Sequence, residues 1–277
     1  MCRYTRMDSN RDAGNVRWPV HPRPITGECL SSWFVRCAIS NGMDPRPLWS
    51  GSFGRATKPT KHLDSSPATA VLKTLSLRSG LGVEEIRAMT LQAFQPFLAP
   101  EWKFGKMRWV LIGTDGPKSG TIQYCPLCLK ERQFFRSVDR ISLSVCCSTH
   151  GIPLQDCCPS CGLQVDLLRF GERFGGASLS LCHCRRCGWD LRQNPGRGNW
   201  DEDGFPLLPE AMGLQERILA GLEDGWMEFP GVGKIYTYLF LRGVRQILNL
   251  LSNRVTSARL KLPRRGNSLD TQLGTIP

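Results

Sequence analysis

A chain of 277 residues, 41% of them apolar, can fill two or three small cores, and it has no run of about 20 apolar residues that would cross a membrane. The net charge is +12 and 27 of the 36 basic residues are arginine, whose planar fork suits phosphate. A nucleic-acid or nucleoprotein neighbour is therefore the first expectation, set against a merely solvated basic surface. Thirteen cysteines, behind a polar segment Met1–Arg17 without an apolar signal core, argue for metal rather than disulfides and so for a reducing cytosol.

Residues 1–22 read as a flexible N-terminus and residues 23–117 as a helical domain. Its first helix is expected from near Pro24, with Thr26 as cap and Glu28 at the positive end. Leu30, Trp33, Phe34, Cys37 and Ala38 recur at i, i+3, i+4, i+7 and i+8, and Asn41-Gly42 stops the helix. The segment 45–59, rich in proline and glycine, reads as a loop. A second helix is expected from Ser66-Pro67 to about Arg78, with Val71, Leu72 and Leu75 inward, and a third from Val83 to about Phe94.

Two short helices joined through Gly80 form a helix-turn-helix-like unit. The first turn of its second helix carries Glu84 and Glu85, which phosphates repel, so this helix is expected to be scaffold or a protein-docking element rather than a reader of bases. Arg55, Lys58, Lys61 and Lys73 are the better candidates for phosphate contact.

Residues 118–200 carry the strongest signal. Cys125-Pro-Leu-Cys128 is followed by Cys147-Ser-Thr-His150, then Cys158-Pro-Ser-Cys161 and Cys184-Arg-Arg-Cys187. Each pair has two intervening residues, the spacing that lets two ligands from one tight turn reach the same tetrahedral ion. Gly162 and Gly188 follow the second cysteine of their pairs, where such turns need φ > 0. Two structural Zn2+ ions are the expectation, because four protein ligands each leave no open position for catalysis.

Cys146, Cys157, Cys182 and His183 leave the ligand choice open by one residue at three half-sites; Cys147, Cys158 and Cys184 keep the spacing. Short hairpin strands are expected at 134–136, 141–145, 163–170 and 177–181. The small module is expected to draw much of its folding energy from metal. Arg132, Arg136, Arg140, Arg185, Arg186 and Arg192, with Trp189 and Trp200, are candidates for a basic aromatic surface toward nucleic acid or a partner.

Residues 201–265 read as helical again and 266–277 as a flexible tail. Pro209 opens a helix with Leu214, Ile218 and Leu222 inward, which Gly225 closes. Tyr236, Phe240, Val244, Ile247, Leu248 and Leu251 then form one apolar stripe, expected to be core. Asp201–Glu228 is acidic but for Arg217, whereas Lys234–Arg265 holds only bases. Such a segment can pair internally, the preferred expectation, or with a second copy of the chain.

Catalytic signatures are missing. Gly231-Val-Gly-Lys234 lacks the spacing and the following Ser/Thr of a phosphate loop, and neither H-E-x-x-H nor a deaminase arrangement occurs. The fold class is therefore mainly α with small β: a helix-turn-helix-like helical domain, a tandem zinc-ribbon-like module and a C-terminal helical segment, with no enzymatic activity expected.

The segment from Pro24 through Glu28, Trp33 and Arg36 to Asn41-Gly42 resembles the opening motif of the TniQ/TnsD transposon target-selection proteins. Gly80-Leu-Gly-Val-Glu-Glu-Ile-Arg-Ala-Met-Thr90-Leu91 is similar to their second helical motif. Tyr124-Cys-Pro-Leu-Cys-Leu129, Cys147-x2-His150-Gly151 and Cys158-Pro-Ser-Cys161-Gly162 follow their zinc module in order. Cys29, and the stretch after Phe135 without a tryptophan, depart from the pattern.

The resemblance implies a cytoplasmic bacterial adaptor in DNA transposition. It would link a target-recognition complex, such as a CRISPR RNA-guided effector, to an AAA+ ATPase transposition regulator of the TnsC/TniB kind. Nucleic-acid contacts within the assembly and a homodimer belong to the same expectation. The rival expectation is a sequence-specific, zinc-containing DNA-binding protein that reads attachment sites or regulates transcription.

Overall fold

The computed structural model describes residues 17–55, 57, 63–94, 122–168, 180–193 and 208–260, with side chains to 251. Among these, helices α1 (Leu30–Ser40), α2 (Pro45–Phe53), α3 (Thr69–Ser79) and α4 (Val83–Ala88) come first, closed by a 3-10 turn at Leu91–Phe94. A short α5 (Pro126–Glu131) and a 3-10 turn at Val138–Arg140 belong to the cysteine-rich region. Then follow α6 (Leu208–Asp224), the antiparallel hairpin β1 (Trp226–Phe229) and β2 (Gly233–Tyr236), and α7 (Thr237–Leu260). The protein is mainly α with one small sheet, as its patterning predicts.

The five apolar residues that define α1 in the sequence are all fully buried. Leu30, Trp33, Phe34, Cys37 and Ala38 meet Leu72 and Leu75 of α3, Leu81 of the connection and Ile86 of α4. Cys29, not Thr26, caps α1, and its side chain makes no capping bond. The free Ser31 N–H is taken instead by the buried carboxylate of Asp64 at 2.6 Å, while buried Glu28 accepts from Ser32 Oγ (3.0 Å) and from Arg36 Nε (2.8 Å) and Nη2 (2.7 Å).

The chain is already anchored at Trp18, ahead of the expected start. Its ring packs on Trp33 and Phe34, and its indole N–H donates to Ser52 Oγ.

Two expectations are corrected here. The proline-rich stretch read as a loop contains α2, because Pro45 stands at the helix start, where a missing N–H costs nothing, and Leu48 and Trp49 are buried. The third helix is also shorter than expected: α4 stops at Ala88 and the chain continues as a 3-10 turn. Glu85 acts locally in α4, its carboxylate accepting the Gly82 N–H at 2.7 Å.

A second core lies between α1 and the cysteine-rich region, formed by Cys29 and Val35 on one side and Tyr124, Leu129, Phe135, Val165, Leu181 and Leu191 on the other. Val35 points away from the first core, so α1 is buried on two faces. Backbone bonds reinforce the contact: Cys29 N–H donates to the Phe135 carbonyl and Ser137 N–H to that of Gly27, both at 2.9 Å.

The third core joins Ile218, Leu222, Met227 and Leu241 to Leu91 and Ile141. Buried Gln215 of α6 clamps the cysteine-rich region: its carbonyl accepts from the Val145 and Cys146 N–H groups (2.8 and 2.9 Å) and its amide donates to the Cys146 carbonyl (2.8 Å). All of its bonds are to backbone one and two residues before Cys147.

The β-strands β1 and β2 between α6 and α7 are not among the elements that the sequence patterning predicts, although internal pairing of the acidic and basic halves is. Register places Glu228 opposite Lys234, one acid–base pair where the acidic and basic halves join. Gly221 of α6 sits where the hairpin and α7 close in. A Cβ there would lie 2.5 Å from Met227 Cγ and 2.8 Å from Thr237 Oγ1. Gly221→Ala should therefore destabilise the protein by up to about 2 kcal/mol, because overpacking of about 1–3 kcal/mol is set against a helix-propensity gain of about 1 kcal/mol. A melt by circular dichroism reads the sign.

The stripe from Tyr236 to Leu251 is not core: Phe240 and Val244 are half-buried, whereas Tyr236, Ile247, Leu248 and Leu251 are exposed. The buried apolar side chain of this stretch is Leu241, outside the stripe, because α7 outruns α6 and the hairpin beneath it.

Candidate metal centres

Three of the four half-sites are built by one backbone device. Cys147, Cys158 and Cys184 each donate their N–H to the carbonyl five residues on (Ile152, Leu163, Trp189), and each receives the N–H of the glycine four residues on (Gly151, Gly162, Gly188), all at 2.7–2.9 Å. Those glycines have φ of 63°, 66° and 73°, a conformation that strains any other residue, so the sequence fixes the turn. The fourth half-site differs: Cys125 caps α5 and its sulfur accepts the Cys128 N–H at 3.5 Å, with Pro126 in the first turn.

The expected hairpin strands do not form among the described residues: Arg136 makes a single bridge with Glu28 and Gln164 one with Cys157, and further single bridges join Cys146 to Pro153 and His183 to Asp190 beside the metal turns. Strand residues 169–170 and 177–179 lie outside the described residues.

The turns converge in two tetrads, Cys125/Cys128/Cys147/His150 and Cys158/Cys161/Cys184/Cys187, whose ligand atoms lie within 4.8 Å of one another. In the first, His150 Nδ1 is 3.5 Å from Cys125 Sγ and 3.3 Å from Cys128 Sγ, and the Cys128 and Cys147 sulfurs are 3.5 Å apart. In the second, Cys158 to Cys187 is 3.5 Å and Cys161 to Cys184 is 3.8 Å. A tetrahedral ion with metal–sulfur bonds of about 2.3 Å holds its sulfurs about 3.8 Å apart, so both donor sets fit a closed, zinc-like site. Cys146, Cys157, Cys182 and His183 stand outside both tetrads.

Electrostatics around the first tetrad favour a cation. The hydrogen bond from Cys125, then that of the His150 N–H, holds the Cys147 thiol down at about 3 against the opposing effect of burial. Cys125 is pushed up by its bond to Cys147 and by burial, and Cys128 is pushed up by burial to about 11. Four ligands crowded together thus share one negative charge and hold protons that an ion must displace. Metal affinity should consequently rise with pH, by up to about tenfold per unit for each proton displaced, readable by competition with a chromogenic chelator.

Neighbouring side chains complete the site. The free nitrogen of His150, Nε2, lies 2.9 Å from Glu131 Oε1, the carboxylate–histidine arrangement that fixes which ring nitrogen faces a metal. Arg136 donates to Cys147 Sγ at 3.7 Å while paired with Asp139 at 2.9 Å, and so opposes the thiolate charge. Glu131→Ala should weaken metal binding at this tetrad by about 10–100-fold and leave the second unchanged, as the same chelator titration would report.

The nominated basic residues separate into two groups. Arg55, Lys73, Arg132 and Arg186 are exposed, whereas Lys58 and Lys61, like Trp200, lie outside the described residues. Arg140 is turned inward, its buried guanidinium 3.2 Å from the buried carboxylate of Asp64. Asp64 also accepts the Ser31 N–H and hydroxyl, both at 2.6 Å, at the start of α1.

Arg185 is mostly covered and reaches Asp44 at the start of α2 at 3.4 Å. Arg136, Arg140 and Arg185 thus tie the metal turns to the helical domain and to one another. Sequence patterning could not assign the roles of Arg140, Arg185, Glu131, Asp64 and Gln215, because their partners are distant in the chain; only Arg136, whose partner Asp139 stands three residues on, has a local signal.

No helix among the described residues is long and apolar enough to cross a membrane. No curated protein matches the chain. Residues 19–154 match the TniQ family, a stretch that holds the helical domain and the first tetrad.

Proposed function

The chain belongs to the TniQ family, and from that premise we propose that it is an adaptor in DNA transposition, joining a target-recognition complex to an AAA+ ATPase that recruits the transposase. Membership makes it a transposition-associated target-selection protein of a family of non-catalytic adaptors. The observation that carries the finer reading is the pair of closed tetrads welded to α1 and α6, a rigid bracket between helical surfaces. We assign zinc to both tetrads, with four protein ligands each and a purely structural role.

In this reading Arg55, Lys58, Lys61, Lys73, Arg132 and Arg186 meet nucleic acid inside the assembly, while Arg136, Arg140 and Arg185 hold the scaffold. An RNA-guided CRISPR effector is one recogniser of the required kind, and a homodimer one form in which the adaptor would bind it.

The test is a reconstitution with an AAA+ ATPase regulator of the TnsC/TniB kind and its transposase. The purified chain should co-sediment with ATP-bound ATPase on DNA, while its binding to free duplex stays weak and falls steeply with salt. Nanomolar, sequence-specific duplex binding by the chain alone would favour a direct DNA reader and overturn the adaptor.

A further inference from the structure

The two tetrads share one stretch of chain. His150 of the first and Cys158 of the second are eight positions apart, and the backbone between them is pinned at several points. The Ile152 carbonyl accepts the Cys147 N–H at 2.7 Å, Leu154 N–H donates to the Val145 carbonyl at 2.9 Å, and the Asp156 carbonyl accepts the Val165 N–H at 2.8 Å. A segment held this way transmits order from one metal turn to the next, where a slack linker would absorb it.

Tyr124 closes a second, shorter path. It precedes Cys125, a ligand of the first tetrad, and pairs with Gln155 through both backbone bonds at 2.8 and 2.9 Å. Its side chain is buried and meets Phe135 edge-on, with ring centres 6.2 Å apart. At the end of the ring the hydroxyl donates to Gln155 Oε1 (3.0 Å) and to the carbonyl of Cys157 (3.2 Å), the residue before Cys158. One side chain thus joins the neighbour of a ligand in one tetrad to the neighbour of a ligand in the other. Phenylalanine would fill the same space, but only tyrosine supplies that donor.

We propose that Tyr124 couples the two metal centres, so that metal held by the first tetrad strengthens binding at the second, and the reverse. Ligation of Cys125 fixes the place of Tyr124, and the Tyr124 hydroxyl then holds the Cys157–Cys158 turn in the shape the second tetrad needs. The proposal rests on the assignment of zinc to both tetrads. Coupling is felt only when one tetrad empties, so Glu131→Ala still leaves the second at full affinity while the first stays loaded.

The test is a chelator-competition titration of the full-length chain with Zn2+, in the parent and in two variants that each keep one tetrad, Cys128→Ser and Cys187→Ser. The parent should bind two ions with an overall association constant about tenfold above the product of the two single-tetrad constants. Tyr124→Phe, introduced into all three, should remove most of that excess, since one buried hydrogen bond is worth about 2–10-fold. A packing role would instead weaken each tetrad separately and leave the excess untouched.

No excess in the parent, or an excess that Tyr124→Phe leaves intact, would overturn the coupling while two bound ions upheld the metal assignment. Fewer than two ions on the parent would overturn that assignment, and the coupling with it. Zinc content and circular dichroism of the loaded Tyr124→Phe chain show whether it folds; should it not, the excess in the parent decides alone.

Discussion

Replacing Cys128 by serine is expected to remove one of two metal equivalents per chain and to unfold far more than one turn. Structural zinc contributes on the order of 10–16 kcal/mol of apparent binding energy in small modules, comparable with the whole stability of a domain. Cys128 lies in α5, whose Leu129 is part of the core shared with Cys29 and Val35. Loss of the tetrad should therefore expose the second face of α1 and release the 145–146 backbone from Gln215. Elemental analysis with a thermal melt reads both effects. Cys187→Ser should be milder, since Cys187 is exposed and its tetrad lies farther from α6; full metal content in either variant would refute the ligand assignment.

The second large effect is expected at Asp64. Its carboxylate is buried and faces buried Arg140 at 3.2 Å while accepting two bonds from Ser31 at the start of α1. Asp64→Ala takes from the buried guanidinium the carboxylate 3.2 Å away and from α1 the acceptor of the Ser31 N–H. Breaking a buried pair from one side costs about 3–5 kcal/mol, so the variant should melt well below the parent or fail to accumulate. Adding Arg140→Met should recover a substantial part of the loss, because the buried charge that Asp64 faced is then gone. If the double variant is as unstable as the sum of the single ones, the pair is not the tie described here.

The metal tetrads were the most legible part of the sequence. Paired ligands with two intervening residues, glycine after the second ligand and proline in the turn are local requirements, and local requirements can be read from spacing. The buried face of α1 was legible for the same reason: a 3.6-residue period shows directly which side chains leave water.

Other features were hidden because their causes are not local. Pro45 to Phe53 has the composition of a loop, and only the cavity receiving Leu48 and Trp49 makes it a helix. Val35 looks surplus to the helical stripe until a second core appears beside it.

Arginine was read by its chemistry rather than its address. Arg140 in the sequence is one more phosphate-binding fork, and in the fold it is the counter-charge of an aspartate 76 positions earlier. Expectations for α7 failed in the opposite direction: periodicity revealed the stripe correctly but not that its packing partner ends halfway along.

Amide hydrogen exchange over Leu30–Ser40, followed while chelator draws the metal away, tests most directly whether the tetrads hold the helical units in place. Exchange in α1 should quicken in step with the release of two zinc ions per chain, although no residue of α1 touches either ion. Protection that outlasts the departure of both ions would contradict the account, leaving the metal turns as ornaments on a helical body that stands without them.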